Sequence, residues 1–285
     1  MTHRCLALAA LIAASSLQAA EPGASFKDHP HPPDVHLAEP PELEDPRAFS
    51  MIVLGDPQSY EKFDINQPIF ELLTAWTAAQ KRRLNVKTAL CTGDLVEQND
   101  LLTANGGTLY AGMNNGNQSS TQQWESVSRA FRRLDQVYPY ILATGNHDYG
   151  YESAENRNSR FPDYFPPARN PLWASTLVAT APNAFGRPTL ENAAYAFTDE
   201  IWGDLLVVVL EFAPRDEAIA WAAELISSEK YAGHQVILLT HSVLDTQGNL
   251  IATSPYRMSP RNEGAALMEK LIKPSTNIKL VICGH

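Results

Sequence analysis

The chain has 285 residues, 44% of them hydrophobic and 19% charged, which suits one large domain with a core and excludes a disordered protein. Its formal net charge of -10 repels polyanions, so no nucleic-acid partner is expected.

Residues 1–20 read as a signal peptide. Arg4 sits in a short basic start, an Ala/Leu-rich run follows from Cys5 to Leu17, and small Ala19 and Ala20 precede Glu21. The expected protein is exported, periplasmic or secreted. No other apolar run reaches spanning length, so no stable membrane insertion is expected. Cys91 and Cys283 then remain. They read as buried small hydrophobes, with a disulfide permitted by an oxidising compartment. Residues 21–47 form a Pro/His-rich disordered leader, in which His29, His31 and His36 are either incidental or a metal trap.

The ordered domain is expected over 48–285. Strand FSMIVL comes first, then a helix over 67–83 with Ile69, Leu72, Leu73, Trp76 and Ala79 at helical spacing. Strand VKTALC leads to a Gly/Asn/Ser-rich loop at 100–120, and Thr121 is the expected N-cap of helix QQWESVSRAFRRL. After strand YPYILAT, the stretch from Tyr149 to Glu191 has no clear period and reads as one long functional loop. Strands AAYAFT and DLLVVVLEF follow, then a helix opened by Pro214, strand HQVILLTH, helix NEGAALMEKLI and strand NIKLVIC. Alternating strands and helices predict an α/β layered fold with largely buried strands.

Five polar cassettes end the apolar runs: Gly55-Asp56-Pro57-Gln58, Gly93-Asp94-Leu95-Val96-Glu97, Gly145-Asn146-His147-Asp148, Thr240-His241 and Gly284-His285. Asp, Asn and His at strand tips are hard-to-borderline metal ligands on rigid supports. In this order they resemble the calcineurin-like metallophosphoesterase superfamily, over roughly Ser50 to His285. Segments QQWESVSRAF, LEFAPRDEAIAWA and ILLTHSVL resemble its bacterial secreted branch.

The resemblance implies a two-layer β sandwich core flanked by helices, and hydrolysis of a phosphate mono- or diester at two divalent ions, Mn, Zn or Fe. It implies Asp94 as the bridge, with Asp56 on the first metal and Asn146, His241 and His285 on the second. His147 would protonate the leaving oxygen, and Asp148 would orient its ring. Gln58 stands where the family carries His; it either ligates through its amide oxygen or binds water. Glu97 either compensates or is a solvated loop acid.

Two further residues are candidates for substrate binding. Arg215, at a strand exit, either grips phosphate or pairs with Glu211 or Asp216. Tyr149 opens a loop expected to wall the site. The substrate is a small phosphorylated compound. The alternative is a degenerate phosphatase fold that binds metal or phosphate without turnover. Because the family's last cassette runs Gly-His-x-His, a C-terminally truncated form of a longer protein is expected, with NIKLVIC left as an exposed edge.

Overall fold

The computed structural model describes residues 41–104 and 116–285. The signal segment 1–20, most of the 21–47 leader with His29, His31 and His36, and the middle of the 100–120 loop lie outside the described residues.

Three parallel strands form the first sheet, in the order β1 (Ser50–Leu54), β2 (Val86–Cys91), β3 (Ile141–Leu142). Helices α1 (Gln58–Glu61) and α2 (Gln67–Ala79) lie between β1 and β2, and α3 (Ser120–Arg132) precedes β3. After the short α4 (Phe161–Tyr164) comes a second sheet in the order β4 (Leu177–Pro182), β5 (Pro188–Asp199), β6 (Gly203–Val209), β7 (Gln235–Leu239), β8 (Ile278–Ile282). Its β4, β5 and β6 are antiparallel neighbours, whereas β6, β7 and β8 run parallel. Helix α5 (Asp216–Ser227) links β6 to β7, and α6 (Gly264–Leu267) precedes β8.

The side-chain period of two along β6 divides the core. Val207 and Val209 join Leu90 and Ile141 of the first sheet, in a cluster that also takes in Phe70, Trp124 and Phe131 of α2 and α3. Leu206 and Val208 join Ala218, Ile219 and Ala222 of α5 instead. The result is the expected pair of β layers flanked by helices. No helix among the described residues is long and apolar enough to cross a membrane. Cys91 and Cys283 are free thiols.

Several local expectations are corrected. The stripe on α2 faces outward: Leu72 is 68% exposed, and Ile69, Leu73 and Trp76 are exposed with it. The buried face carries Phe70, Thr74 and Thr77. Phe70 stacks on Tyr60 and meets the Phe131 ring edge-on at 5.5 Å. The threonines are tolerated inside because their hydroxyls donate to helix carbonyls, Thr74 to Glu71 and Thr77 to Leu73.

Helix α3 is capped by Ser119, not Thr121; Ser119 and Gln122 exchange hydrogen bonds in a capping box. Helix α5 starts two residues after Pro214, with Arg215 as N-cap. Part of the supposed loop from Tyr149 to Glu191 is β4, a half-buried edge strand that shows no apolar alternation. Strand β1 is also a sheet edge, so it is partly exposed rather than buried, whereas β8 lies at the edge of the second sheet as expected.

Phe70→Ala is expected to cost about 3–5 kcal/mol by cavity formation. Leu72→Ala should shift stability by about 0.5 kcal/mol or less. Urea unfolding of both variants checks which face of α2 is structural; equal losses would contradict this packing.

Glu61 ends α1 wholly buried, and neither carboxyl oxygen has a hydrogen-bond partner. Burial pushes its carboxyl up from 4.5 to about 8, against the pull of nearby Ser126 and Arg129. A raised acid pKa means that the folded state keeps a proton which the unfolded chain releases above pH 4.5. Its contribution to stability should therefore fall between pH 4.5 and 8 and level off beyond. Glu61→Gln is expected to flatten that slope and to raise stability at pH 8. Denaturant midpoints across this range read it directly.

Candidate metal centre

Every cassette follows the C-terminal end of a strand that runs parallel to its neighbours. Asp56 and Gln58 follow β1, Asp94 follows β2, and Asn146 to Asp148 form a single 3-10 turn after β3. His241 follows β7 and His285 follows β8. Parallel strands deliver their exits to one rim, and here two sheets contribute.

The sheets are joined at His241, which is fully buried. Its Nδ1 lies 2.8 Å from the carbonyl of Thr92. A carbonyl only accepts, so Nδ1 carries a hydrogen toward Thr92, and Nε2 faces inward, where a proton or a metal ion can sit on it. That nitrogen meets Asp94 Oδ2 at 3.2 Å, Asn146 Oδ1 at 3.2 Å and His285 Nδ1 at 3.1 Å. The Asn146 oxygen faces it because the Nδ2 of the same amide donates to Ser153 Oγ at 2.9 Å. Asp94, His241 and His285 each place a ligand atom within 4.8 Å of the others.

The electrostatics agree. Burial opposes charge on His241, yet the Asp94 carboxylate outweighs it and lifts the ring to about 9. Burial would likewise raise Asp94, but His241 and His147 draw its pKa below the usual range. Burial and His241 together lower His285. The centre is thus built to hold positive charge. Its carboxylate, amide oxygen and imidazole donors fit a divalent ion such as Mn, Zn or Fe.

Asp56 stands at the edge of this cluster, its Oδ1 4.0 Å from His241 Nδ1. Thr92 Oγ1 donates to Oδ1 at 2.6 Å, and the backbone N–H of His285 donates to Oδ2 at 3.0 Å. Gln58 is tied to the Asp94 carbonyl through its backbone, and its buried Oε1 has no hydrogen-bond partner. An orphaned buried amide oxygen fits a cation nearby.

His147 is held by a backbone atom, not by Asp148. Its Nδ1 donates to the Glu97 carbonyl at 2.7 Å, leaving Nε2 available. Asp148 is buried and accepts from the amides of Leu95, Val96 and Gly145. It therefore staples the Asp94 loop to the Asn146 loop, and the expected orientation of the His147 ring by Asp148 is replaced by this role. Burial, then the neighbouring Asp94, raises its carboxyl. The Glu97 side chain is buried in an ion pair with Lys62 at 3.2 Å, so it is not a solvated loop acid.

The two substrate-binding candidates do not join the cluster. Tyr149 is buried and donates its hydroxyl to Glu191. Arg215 pairs with Glu211 at 2.8 Å and donates to the Pro182 carbonyl. Sequence reasoning missed Thr92 and Ser153, which aim His241 and Asn146. Thr92 carried a faint signal as the residue between β2 and Gly93; Ser153 carried none.

The backbone at Asp94 is left-handed, with φ +50°. Such strain is held only where surroundings over-determine it. Gly145 packs directly against Asp94, so an added Cβ would collide with that carboxylate. At Gly55 an added Cβ would meet nothing within 4 Å.

A family model described as calcineurin-like phosphoesterase matches residues 49–285. The chain is 24% identical over 239 residues to the uncharacterized protein YvnB of Bacillus subtilis (strain 168), covering 83% of this chain. It spans 15% of the length of that relative. Among solved structures it is similar to purple acid phosphatase PPD1 from yellow lupin (Lupinus luteus) seeds, with a TM-score of 0.43 and 14% identity over 85% of this chain and 38% of that one.

Gly145→Ala is expected to displace Asp94 and to weaken divalent-metal binding at least tenfold, the scale of supporting-residue losses at metal sites. Gly55→Ala, in a cassette of similar appearance, should bind metal as the parent does. Metal titration of both proteins distinguishes a general need for glycine from this one contact.

Proposed function

The chain belongs to the calcineurin-like phosphoesterase family, and from that premise we propose that it is a metal-dependent phosphoester hydrolase with a dinuclear centre. Asp56, Gln58 and Asp94 would hold one ion; Asp94, Asn146, His241 and His285 would hold the other. Bound divalent metal supplies Lewis-acid polarisation of the phosphoryl oxygens and a nucleophile at neutral pH. The observation that carries this reading is the Nε2 of His241, aimed at two oxygens and a nitrogen within 3.2 Å.

The chain's own residues do the rest. Asp94 divides its carboxylate: Oδ1 accepts from the His147 amide at 2.9 Å, and Oδ2 faces His241. This fixes the start of the 3-10 turn relative to the metal ligands. His147, with Nδ1 committed to Glu97, would present Nε2 to the leaving oxygen and deliver a proton from there. The acidic balance of the chain favours a small phosphorylated substrate over a polyanion. Export to the periplasm or beyond, read from residues 1–20, belongs to the same proposal.

Metal analysis of the purified protein, together with turnover of p-nitrophenyl phosphate and its bis-ester in added Mn, tests the proposal. Bound metal without turnover of any ester would favour the non-catalytic binding alternative. His147→Ala is expected to keep its metal and to lose about 10²–10⁴ in rate on an alkyl phosphate. The loss should be smaller on p-nitrophenyl phosphate, whose leaving group needs no proton. Equal losses on both would remove His147 from the acid role.

A further inference from the structure

A cleft of about 590 Å³ is lined by Asn156, Arg157, Asn158, Phe185, Arg215 and Arg257 among others. Four stretches of chain build it, and three of them also carry residues of the wall beside the metal centre. On the wall side the Phe212 ring lies 5.8 Å from that of His241, and Tyr256 lies 6.1 Å from His285. These rings pack edge-on at 5.3 Å, with Ala154, Ala213 and Met258 in the same apolar cluster. Close along the chain in each loop stand the cleft residues: Asn156 to Asn158 after Ala154, Arg215 after Ala213, and Arg257 between Tyr256 and Met258. Cleft and wall therefore share three loops.

The arginines are set for an oxyanion. Arg157 is almost wholly buried and fixed by the carbonyls of Ala213 and Pro260. Arg215 is held by Glu211 and the Pro182 carbonyl through Nε and Nη2, which leaves Nη1 without a partner among the described residues. Arg257 is exposed, with no acid in ion-pair reach among the described residues.

The nearby acids are mostly engaged elsewhere. Glu211 is buried and shared between Arg157 and Arg215. Glu155 accepts from the backbone amides of Tyr151, Glu152 and Ser153. Glu217, also in the lining, interacts electrostatically with Arg215 but forms no close ion pair among the described residues. Phe185, 58% exposed, sits on a turn braced by Asn183, whose side chain accepts its amide. The unspent donors of Arg215 and Arg257 present the charged forks that carboxylates and phosphates bind.

We propose that this cleft binds a second anionic group, a carboxylate or a phosphate, on a substrate whose ester phosphate sits at the metal centre. The enzyme would then prefer phosphate esters with two anionic ends; this half of the inference rests on the hydrolase reading. The test uses alkyl phosphates of graded length ending in methyl, carboxylate or a second phosphate, with parent protein, Arg257→Ala and Arg257→Glu.

A terminal anion is expected to lower KM about tenfold at one chain length, the scale of one charged hydrogen bond. Both variants should lose that advantage while kcat on p-nitrophenyl phosphate stays unchanged. The carboxylate and phosphate series show which anion fits. No length-dependent preference, or one that survives Arg257→Glu, overturns the proposal. Glutarate binding, measured calorimetrically without turnover, separates the two readings. If no ester is hydrolysed but Arg257→Glu still abolishes glutarate binding, the cleft stands and the hydrolase reading falls. If glutarate does not bind the parent protein, the cleft proposal falls.

Discussion

A ring nitrogen whose lone pair faces other lone pairs is repelled unless positive charge lies among them. His241 is held in that condition. The Thr92 carbonyl takes the Nδ1 hydrogen, and Asp94, Asn146 and His285 crowd the other nitrogen, so that a proton or a cation is needed there. Each of those partners is held in turn: Asn146 by Ser153, Asp94 by the His147 amide, and His285 through its backbone by Asp56. Outer partners of this kind fix tautomer and ring orientation at metal sites. The rest of the molecule is a means of keeping these groups from relaxing apart.

The fold does so by bringing two parallel rims together. Strands β1 to β3 deliver carboxylates and an amide, while β7 and β8 deliver imidazoles. Asp148 binds two of the loops with three backbone hydrogen bonds, and the left-handed residue at Asp94 survives inside that brace. Behind the aromatic wall a second buried network takes over, where Glu211 joins Asn192, Arg157 and Arg215. The network is not complete, because the buried Nε and Nη1 of Arg157 have no hydrogen-bond partner, and an unmade bond in a low-dielectric interior is expensive.

The sequence reveals the ligands better than their supports. Asp94, Asn146, His241 and His285, the candidate ligands, are legible because residue types able to bind metal stand at strand ends, and residue type is what a sequence records. Thr92 and Glu97 act at the centre through backbone carbonyls, which any residue could supply, so no residue type marks them. Asp148 misleads by adjacency: in a 3-10 turn, neighbours point apart, and the two side chains have different partners. On α2, periodicity reveals a stripe but not which way it faces. Thr74 and Thr77 look polar but are buried by bonding to their own helix. Strand β4 lies at an edge and ends in Pro182, so neither alternation nor a long apolar run announces it.

The hydrogen bonds that close the centre span long stretches of chain. Thr92 and His241 are 149 residues apart, and Asp56 and His285 are 229 apart. Contacts of such separation are entropically late, because a loop must be closed before they repay it. A chain emerging from a ribosome begins to fold from its N-terminal side. The first sheet, with Asp56, Asp94 and Asn146, would exist for much of synthesis with neither histidine to complete it. The full donor set assembles only when β8 has emerged and docked, so a capacity to hold a cation tightly would report that these long-range contacts have closed.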